Sequence, residues 1–337
     1  MPEVTVVGTT SWGTTLAIIM AQKRLPVTLW CRSEEEARAL NAARENRTRL
    51  PGIPFPQTLT VTSDLPEAMA GSRLVLLAVP SQRMRENARS IAPYIGDRLF
   101  MSASKGMELG TALRMSQVLI DEFGQEHAQQ ACVLSGPNLA REVAQGLPSA
   151  TVVAADTLAV AETARVLVMT RRFRVYCSDD VVGVEFGGAL KNIIALGAGM
   201  SDGWGYGANA KAAFMTRGLT EITRLAVASG GNPLTFLGLA GIGDLVATCT
   251  SPLSRNRRVG EELAHGRSLE DIKATLGGVA EGITTTVAAL DMARTSGVEM
   301  PITEQTYEVL YNRRDARIAI TQLMAREPKY ELHGLEP

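Results

Sequence analysis

A lysine set among apolar residues is the first candidate for chemistry. Lys191 and Asn192 interrupt the run Gly188, Ala189, Leu190 and Ile193, Ile194, Ala195, and a buried ammonium costs several kcal/mol unless it is paired. Desolvation also lowers the pKa of such a lysine, which suits it to take a proton from an alcohol. The alternative is an ammonium that snorkels to water, but this stretch offers almost no other polar stripe. In GLAGIGDLVATCT, Asp244 and Thr248 stand one helical turn apart and share a face. Asp244 can hold the lysine, cap a helix after Gly243, or do both. Ser254, Arg255, Asn256, Arg257 and Arg258 follow Pro252 and precede a helical pattern, so a hydroxyl, an amide, guanidinium groups and free backbone N–H groups meet at a helix start. That combination suits a phosphate-sized anion. A solvated basic turn is the bland alternative, and a nucleic-acid patch is disfavoured by the balanced charge and the lack of interleaved aromatics.

A second constellation points to a nucleotide. Val4 to Ala17, VTVVGTTSWGTTLA, runs from a β-branched strand through a glycine turn into an Ala/Leu helical pattern, the start of a dinucleotide-binding βαβ unit. Gly8 takes the tight turn, Gly13 lets helix and strand pack closely, and the helix start faces the pyrophosphate. Thr10 replaces the middle glycine; its Cβ either holds the pyrophosphate further away or its hydroxyl supplies a hydrogen bond instead. Arg32 follows the second strand where an NAD site would present Asp or Glu to the ribose. An arginine there accepts a 2′-phosphate, so NADP is allowed beside NAD. Lys105 in SASKGM and Gly136 to Asn138 in SGPNLA lie at the ends of two further strands, the sheet edge at which open α/β folds bind ligands.

The elements that must position these residues fall into two halves. Strands are predicted at Val4–Val7, Val27–Trp30, Leu74–Val79, Leu99–Ser102, Cys132–Leu134, Ala150–Ala154 and Arg174–Cys177, with helices at Thr14–Lys23 and Glu34–Glu45 between the first of them. This alternation predicts a doubly wound, parallel α/β sheet. The three prolines of Leu50–Gln57 predict a loop. From Val181 the strand signal fades, and VVGVEFGGALKNIIALGAGM reads as one long, mostly buried helix opening an all-α half. Gly183, Gly187, Gly188 and Gly197 mark it as a helix that others cross closely. The expected domains are residues 1–180 and 181–337.

Composition narrows the class. A chain of 337 residues is longer than one core usually supports. Apolar content of 45%, charged content of 20% and a formal charge of −1 describe an ordinary globular protein with no general attraction to nucleic acid or anionic membrane. The uncharged run Leu225–Gly243 holds a proline and five glycines, which excludes a continuous membrane helix there. Four scattered cysteines and three histidines argue against a disulfide framework and a zinc site. No basic, apolar leader precedes the first strand, so a cytoplasmic location with reduced thiols is expected.

Taken together, these motifs resemble the bacterial NAD(P)-dependent glycerol-3-phosphate dehydrogenases over nearly the whole chain. The resemblance is carried by GTTSWGTTLA, SKG at Ser104–Gly106, SGPNLA at Ser135–Ala140, ALKN at Ala189–Asn192, GIGDLVATC at Gly241–Cys249, SRNRRVG at Ser254–Gly260 and VAEG at Val279–Gly282. It implies a Rossmann domain and an α-helical domain with the active site in the cleft between them. It further implies reversible hydride transfer between sn-glycerol 3-phosphate and dihydroxyacetone phosphate with NADP or NAD and no metal, in supply of a phospholipid backbone. By this resemblance the proton acceptor is Lys191, and Lys105, Gly136, Asn138, Asp244, Ser254, Arg255 and Asn256 contact the glycerol phosphate. Asn192 and Thr248 support that network. Ser11, Trp12, Arg32, Lys105, Ala140, Arg255, Val279 and Glu281 would line the cofactor beside Gly8, Thr10 and Gly13. The family usually has glycine at the position of Thr10, and its bacterial members often have serine or threonine at that of Asn138. Two alternatives are a related two-domain dehydrogenase of a hydroxy acid or sugar acid, and a non-catalytic dinucleotide sensor. The expected partner is a small molecule, with a homodimer left open.

Overall fold

The computed structural model describes residues 1, 3–328, 330, 331 and 334. Eight strands form one sheet: β1 Val4–Val7, β2 Val27–Trp30, β3 Leu59–Thr62, β4 Leu74–Leu77, β5 Leu99–Ser102, β6 Ala131–Ser135, β7 Ser149–Ala154 and β8 Phe173–Ser178. Their order is β3-β2-β1-β4-β5-β6-β7-β8, so the chain reverses direction across the sheet beside β1, the switch point of a doubly wound fold. The central strands VTVV, VTLW and LVLL are buried along their whole length, as expected where helices cover both faces. Around them lie α1 Ser11–Ala21, α2 Glu34–Ala43, α3 Leu65–Met69, α4 Met84–Ile91, α5 Met115–Phe123, α6 Ala140–Ala144 and α7 Leu158–Val168.

The sheet departs from the predicted one at two places. Strand β6 pairs with β7 antiparallel, whereas β7 and β8 are parallel. The β6 to β7 connection holds only the short helix α6, and β7 runs back along β6 instead of crossing over to lie parallel to it. Strand β3 lies outside the predicted set. It is one of the two edge strands, with Leu59 and Val61 turned into the core and Thr60 exposed.

The contacts divide the chain into two units, Met1–Ser104 with Met115–Val181, and Lys105–Arg114 with Val182–Pro337. A single boundary near residue 180 would leave Lys105–Arg114 in the first unit. The stretch groups with the second because fully buried Met107 joins that unit's core, Arg114 Nη1 pairs with Glu185 Oε2 at 2.5 Å, and Asn192 Nδ2 donates to the Lys105 carbonyl at 3.3 Å.

The second unit is helical: α8 Val181–Gly203, α9 Gly207–Ala228, α10 Asp244–Thr250, α11 Arg255–Ala264, α12 Leu269–Thr275, α13 Glu281–Ser296, α14 Pro301–Tyr311 and α15 Ala316–Met324. Helix α8 is its axis. Among the described residues it alone is long and apolar enough to cross a membrane, but 83% of its apolar window is buried within the protein. Close crossing explains Gly187 and Gly197 of the glycines singled out in it. A Cβ at Gly187 would lie 2.4 Å from the Ala240 carbonyl oxygen, and one at Gly197 2.2 Å from the Phe214 ring. Gly199 and Gly260 seat α8 against α11 in the same way, at 1.9 Å from Arg257 O and 1.8 Å from Leu196 O.

Candidate functional site

In the second unit, one carboxylate holds two ammonium groups. Asp244 Oδ2 accepts from Lys105 Nζ at 2.7 Å, and Asp244 Oδ1 accepts from Lys191 Nζ, which also donates to Thr248 Oγ1. Lys191 and Asp244 are almost fully buried, and Lys105 is largely so. Burial, reinforced by the Lys105 charge and opposed by Asp244, lowers the Lys191 pKa to about 8. The ammonium is therefore protonated at neutral pH and within reach of deprotonation.

Local structure explains this placement. Helix α10 starts at Asp244 straight after a kinked turn, Leu239–Gly243, in which Gly241 leaves helical geometry with φ of −94° and ψ of −105°. The turn is tight, since a Cβ at Gly241 would lie 2.3 Å from Phe236 Cα. Asp244 does not cap the helix; its carboxylate is turned to the lysines instead. Thr248 lies one turn on, with its hydroxyl 3.4 Å from Asp244 Oδ1, so the shared face read from the spacing is present.

A chain of amides joins this centre to the neighbouring helices. Asn256 Nδ2 donates to Asn192 Oδ1 at 2.8 Å, and Asn256 Oδ1 accepts from Gly282 N at 3.0 Å. Asn256 thus caps α13, whose own N-cap Ala280 has no side chain to do so. Of its two amide hydrogens, one is left for a ligand. Ser254 caps α11 by accepting from Arg257 N at 3.2 Å. Arg255 is exposed at that helix start, and its guanidinium lies against Gly278, where a Cβ would come 2.5 Å from Nη1. Val279 and Glu281 follow. Arg257 is turned away, holding Asp202 at 2.6 Å and Glu261 at 3.2 Å. The convergence of guanidinium groups at Ser254–Arg258 therefore comes down to Arg255 and the exposed Arg258.

The nucleotide motif lies in the first unit. Gly8 has φ of +108°, and Gly13 abuts it so closely that a Cβ would sit 2.1 Å from the Gly8 carbonyl oxygen. The Thr10 hydroxyl is engaged within the protein: it donates to Ala78 O at 2.7 Å and accepts from Gly13 N at 3.0 Å. The N–H groups of Ser11 and Trp12, first in α1, have no intrahelical acceptor. Buried Trp12 Nε1 and Asn138 Oδ1 lack protein partners, while Asn138 Nδ2 donates to Ala150 O at 3.0 Å. A Cβ at Gly136 would lie 2.9 Å from Thr151 Cα, and Ala140, at the start of α6, accepts from Thr15 Oγ1 at 3.1 Å. The Ser11 and Trp12 N–H groups, the glycine turn and the orphaned polar atoms fit a dinucleotide's phosphates and polar edges. Arg32 is paired with Glu86.

Two residues of this turn escaped the sequence reading. Buried Asn46 holds the turn through Thr9 O at 3.0 Å and Thr14 Oγ1 at 2.9 Å. Glu86 holds Arg32. Each acts on residues more than thirty positions away, and no local pattern announces such a contact. Among the described residues, no group of three or more His, Cys, Asp or Glu side chains is placed to hold a metal ion.

Two family models match the chain, the N-terminus of NAD-dependent glycerol-3-phosphate dehydrogenase over residues 3–161 and its C-terminus over 180–321. A glycerol-3-phosphate dehydrogenase [NAD(P)+] of Dehalococcoides mccartyi is 53% identical over 99% of this chain and 94% of its own. One of Moorella thermoacetica is 48% identical over 98% of each. The crystal structure of a glycerol-3-phosphate dehydrogenase from Coxiella burnetii superposes with a TM-score of 0.90 at 37% identity, covering 96% of this chain and 98% of that one.

Proposed function

Because the chain belongs to the family of NAD-dependent glycerol-3-phosphate dehydrogenases, we propose that it reduces dihydroxyacetone phosphate to sn-glycerol 3-phosphate, reversibly, with NADPH or NADH. It is an NAD(P)-dependent oxidoreductase acting on a CH–OH group. The observation that carries the mechanism is the buried pair Lys191 and Asp244 with Lys105 beside it.

When bound, the nicotinamide supplies the hydride to substrate C2 or takes it back. Lys191 manages the accompanying proton. With its pKa lowered to about 8, its ammonium gives a proton to the alkoxide developing at the C2 oxygen, and the neutral amine takes that proton from the alcohol in reverse. Asp244 fixes the ammonium's direction, and Thr248 offers a second anchor. Lys105 keeps the site electropositive, favouring an oxyanion and easing deprotonation of Lys191. Ser254, Arg255 and the remaining Asn256 N–H would hold the phosphate and so fix C2 in place, with Gly136 and Asn138 completing the substrate contacts. Gly8, Thr10, Ser11, Trp12, Gly13, Arg32, Ala140, Val279 and Glu281 would hold the dinucleotide. A role in phospholipid supply rests on the family resemblance. A cytoplasmic location is supported by the four cysteines, all free and three of them buried. The intact lysine–carboxylate centre speaks against the sensor reading, and the phosphate-sized anion site at Ser254–Asn256 against the hydroxy-acid reading.

The test is loss of reduced-nicotinamide absorbance on adding dihydroxyacetone phosphate, for the wild type and Lys191→Met. Turnover by the wild type with either cofactor is expected, falling about 10²–10⁴-fold in the variant, the usual span of general acid–base catalysis. Wild-type silence with both cofactors would overturn the reaction. Full activity in folded Lys191→Met would remove the lysine from proton transfer.

A further inference from the structure

Arg32 stands just beyond the end of β2, where a Rossmann-type unit reads the 2′ position of the adenosine ribose. Its guanidinium is paired with the carboxylate of Glu86, in the first turn of α4. The other oxygen of that carboxylate, Glu86 Oε2, accepts from Arg83 Nη1 at 2.8 Å. A single carboxylate therefore bridges two guanidinium groups at this edge, and all three side chains are about half exposed. We propose that Glu86 is a specificity-determining residue, competing with a nucleotide 2′-phosphate for Arg32 and Arg83 and so setting the balance between NADP and NAD.

The chemistry runs as a substitution of one anion for another. Guanidinium forks bind carboxylate and phosphate through the same paired N–H geometry. A 2′-phosphate approaching Arg32 must displace the Glu86 carboxylate or bear its repulsion at close range, whereas a ribose 2′-hydroxyl is neutral and can donate to that carboxylate while the ion pairs stay intact. Arg83 is the second cation released when Glu86 is displaced, which makes it a further donor to the phosphate. The hydrogen bond from Arg83, aided by the charges of both arginines and opposed by partial loss of hydration, holds the Glu86 carboxyl below its ordinary range, so the competitor is ionised wherever the enzyme would work.

This inference rests on the dinucleotide reading of the first unit, and its test can be separated from turnover. The full chain is titrated calorimetrically with adenosine 2′,5′-bisphosphate and with 5′-AMP, as wild type, Glu86→Gln and Arg83→Ala. Glu86→Gln should bind the bisphosphate about two- to fivefold more tightly, the scale of an exposed ion pair, with 5′-AMP bound no more tightly than by the wild type. Arg83→Ala should bind the bisphosphate more weakly, with 5′-AMP unchanged. The Kd ratio of NADPH to NADH should move in the same directions. Equal or weaker bisphosphate binding by Glu86→Gln, or equal tightening of both nucleotides, would overturn the competition. If the wild type binds 5′-AMP and turns over dihydroxyacetone phosphate while Glu86→Gln shows no shift, this inference fails alone. If neither nucleotide binds any of the three proteins, the dinucleotide reading fails with it.

Discussion

The molecule uses one arrangement twice, a carboxylate between two cations, in opposite surroundings. Lys105, Asp244 and Lys191 form it inside the second unit, nearly sealed from water. Arg32, Glu86 and Arg83 form it on the surface of the first. Water decides what each can do. In the interior water contributes little solvation, so each group leans on the others and a proton affinity can be moved far from its ordinary value. At the surface the same contacts are screened and easily exchanged, which suits an anion that a ligand is meant to replace. The buried trio sets a proton's energy, and the exposed trio sets a preference between ligands.

The contrast can be broken at its strongest point first. Asp244→Asn leaves two lysines near each other without their carboxylate, and unfolding by urea should show a loss of about 3–5 kcal/mol, the usual consequence of removing one partner from a buried pair. A loss too small to measure would mean that water reaches the pair. Lys105→Gln is gentler and sharpens the assignment. Reduction of dihydroxyacetone phosphate needs protonated Lys191, so its rate should fall as pH rises through about 8. Because the Lys105 charge depresses the Lys191 pKa, the variant's descending limb should move to higher pH; an unmoved limb would separate the two groups electrostatically. The smallest effect belongs to the surface. Glu86→Gln should leave the urea midpoint where it is, and a clear drop would show that the exposed trio supports the fold.

How much of this could be read from the sequence follows from where the determining contacts lie. The opening β1 to α1 turn and the long helix α8 were legible because their signals are local: β-branched residues running into Gly8 and Gly13, and an apolar run around Lys191. The pairing of Asp244 with Thr248 was equally plain, being a matter of helical spacing. Strand β3 was missed because LTVT is short, half threonine and placed at a sheet edge, with only Leu59 and Val61 to mark it. The reversal between β6 and β7 is a matter of how two strands pair, which the pattern of either strand alone does not encode. Arg257 looked like part of an anion site until Asp202, 55 residues away, claimed it. Glu86 and Asn46 are ordinary polar residues whose importance comes only from distant partners.

The excursion Lys105–Arg114 bears on how this protein can be recombined. A chimaera joined at residue 181 would take Lys105 from one parent and Lys191, Asn192 and Asp244 from the other, dividing one electrostatic centre between two lineages. The inheritable module is therefore discontinuous in the chain. A functional hybrid has to carry residues 105–114 together with everything after Val182, as two exchanged segments, and mosaics that cut only once would inherit a proton-transfer site assembled from mismatched halves.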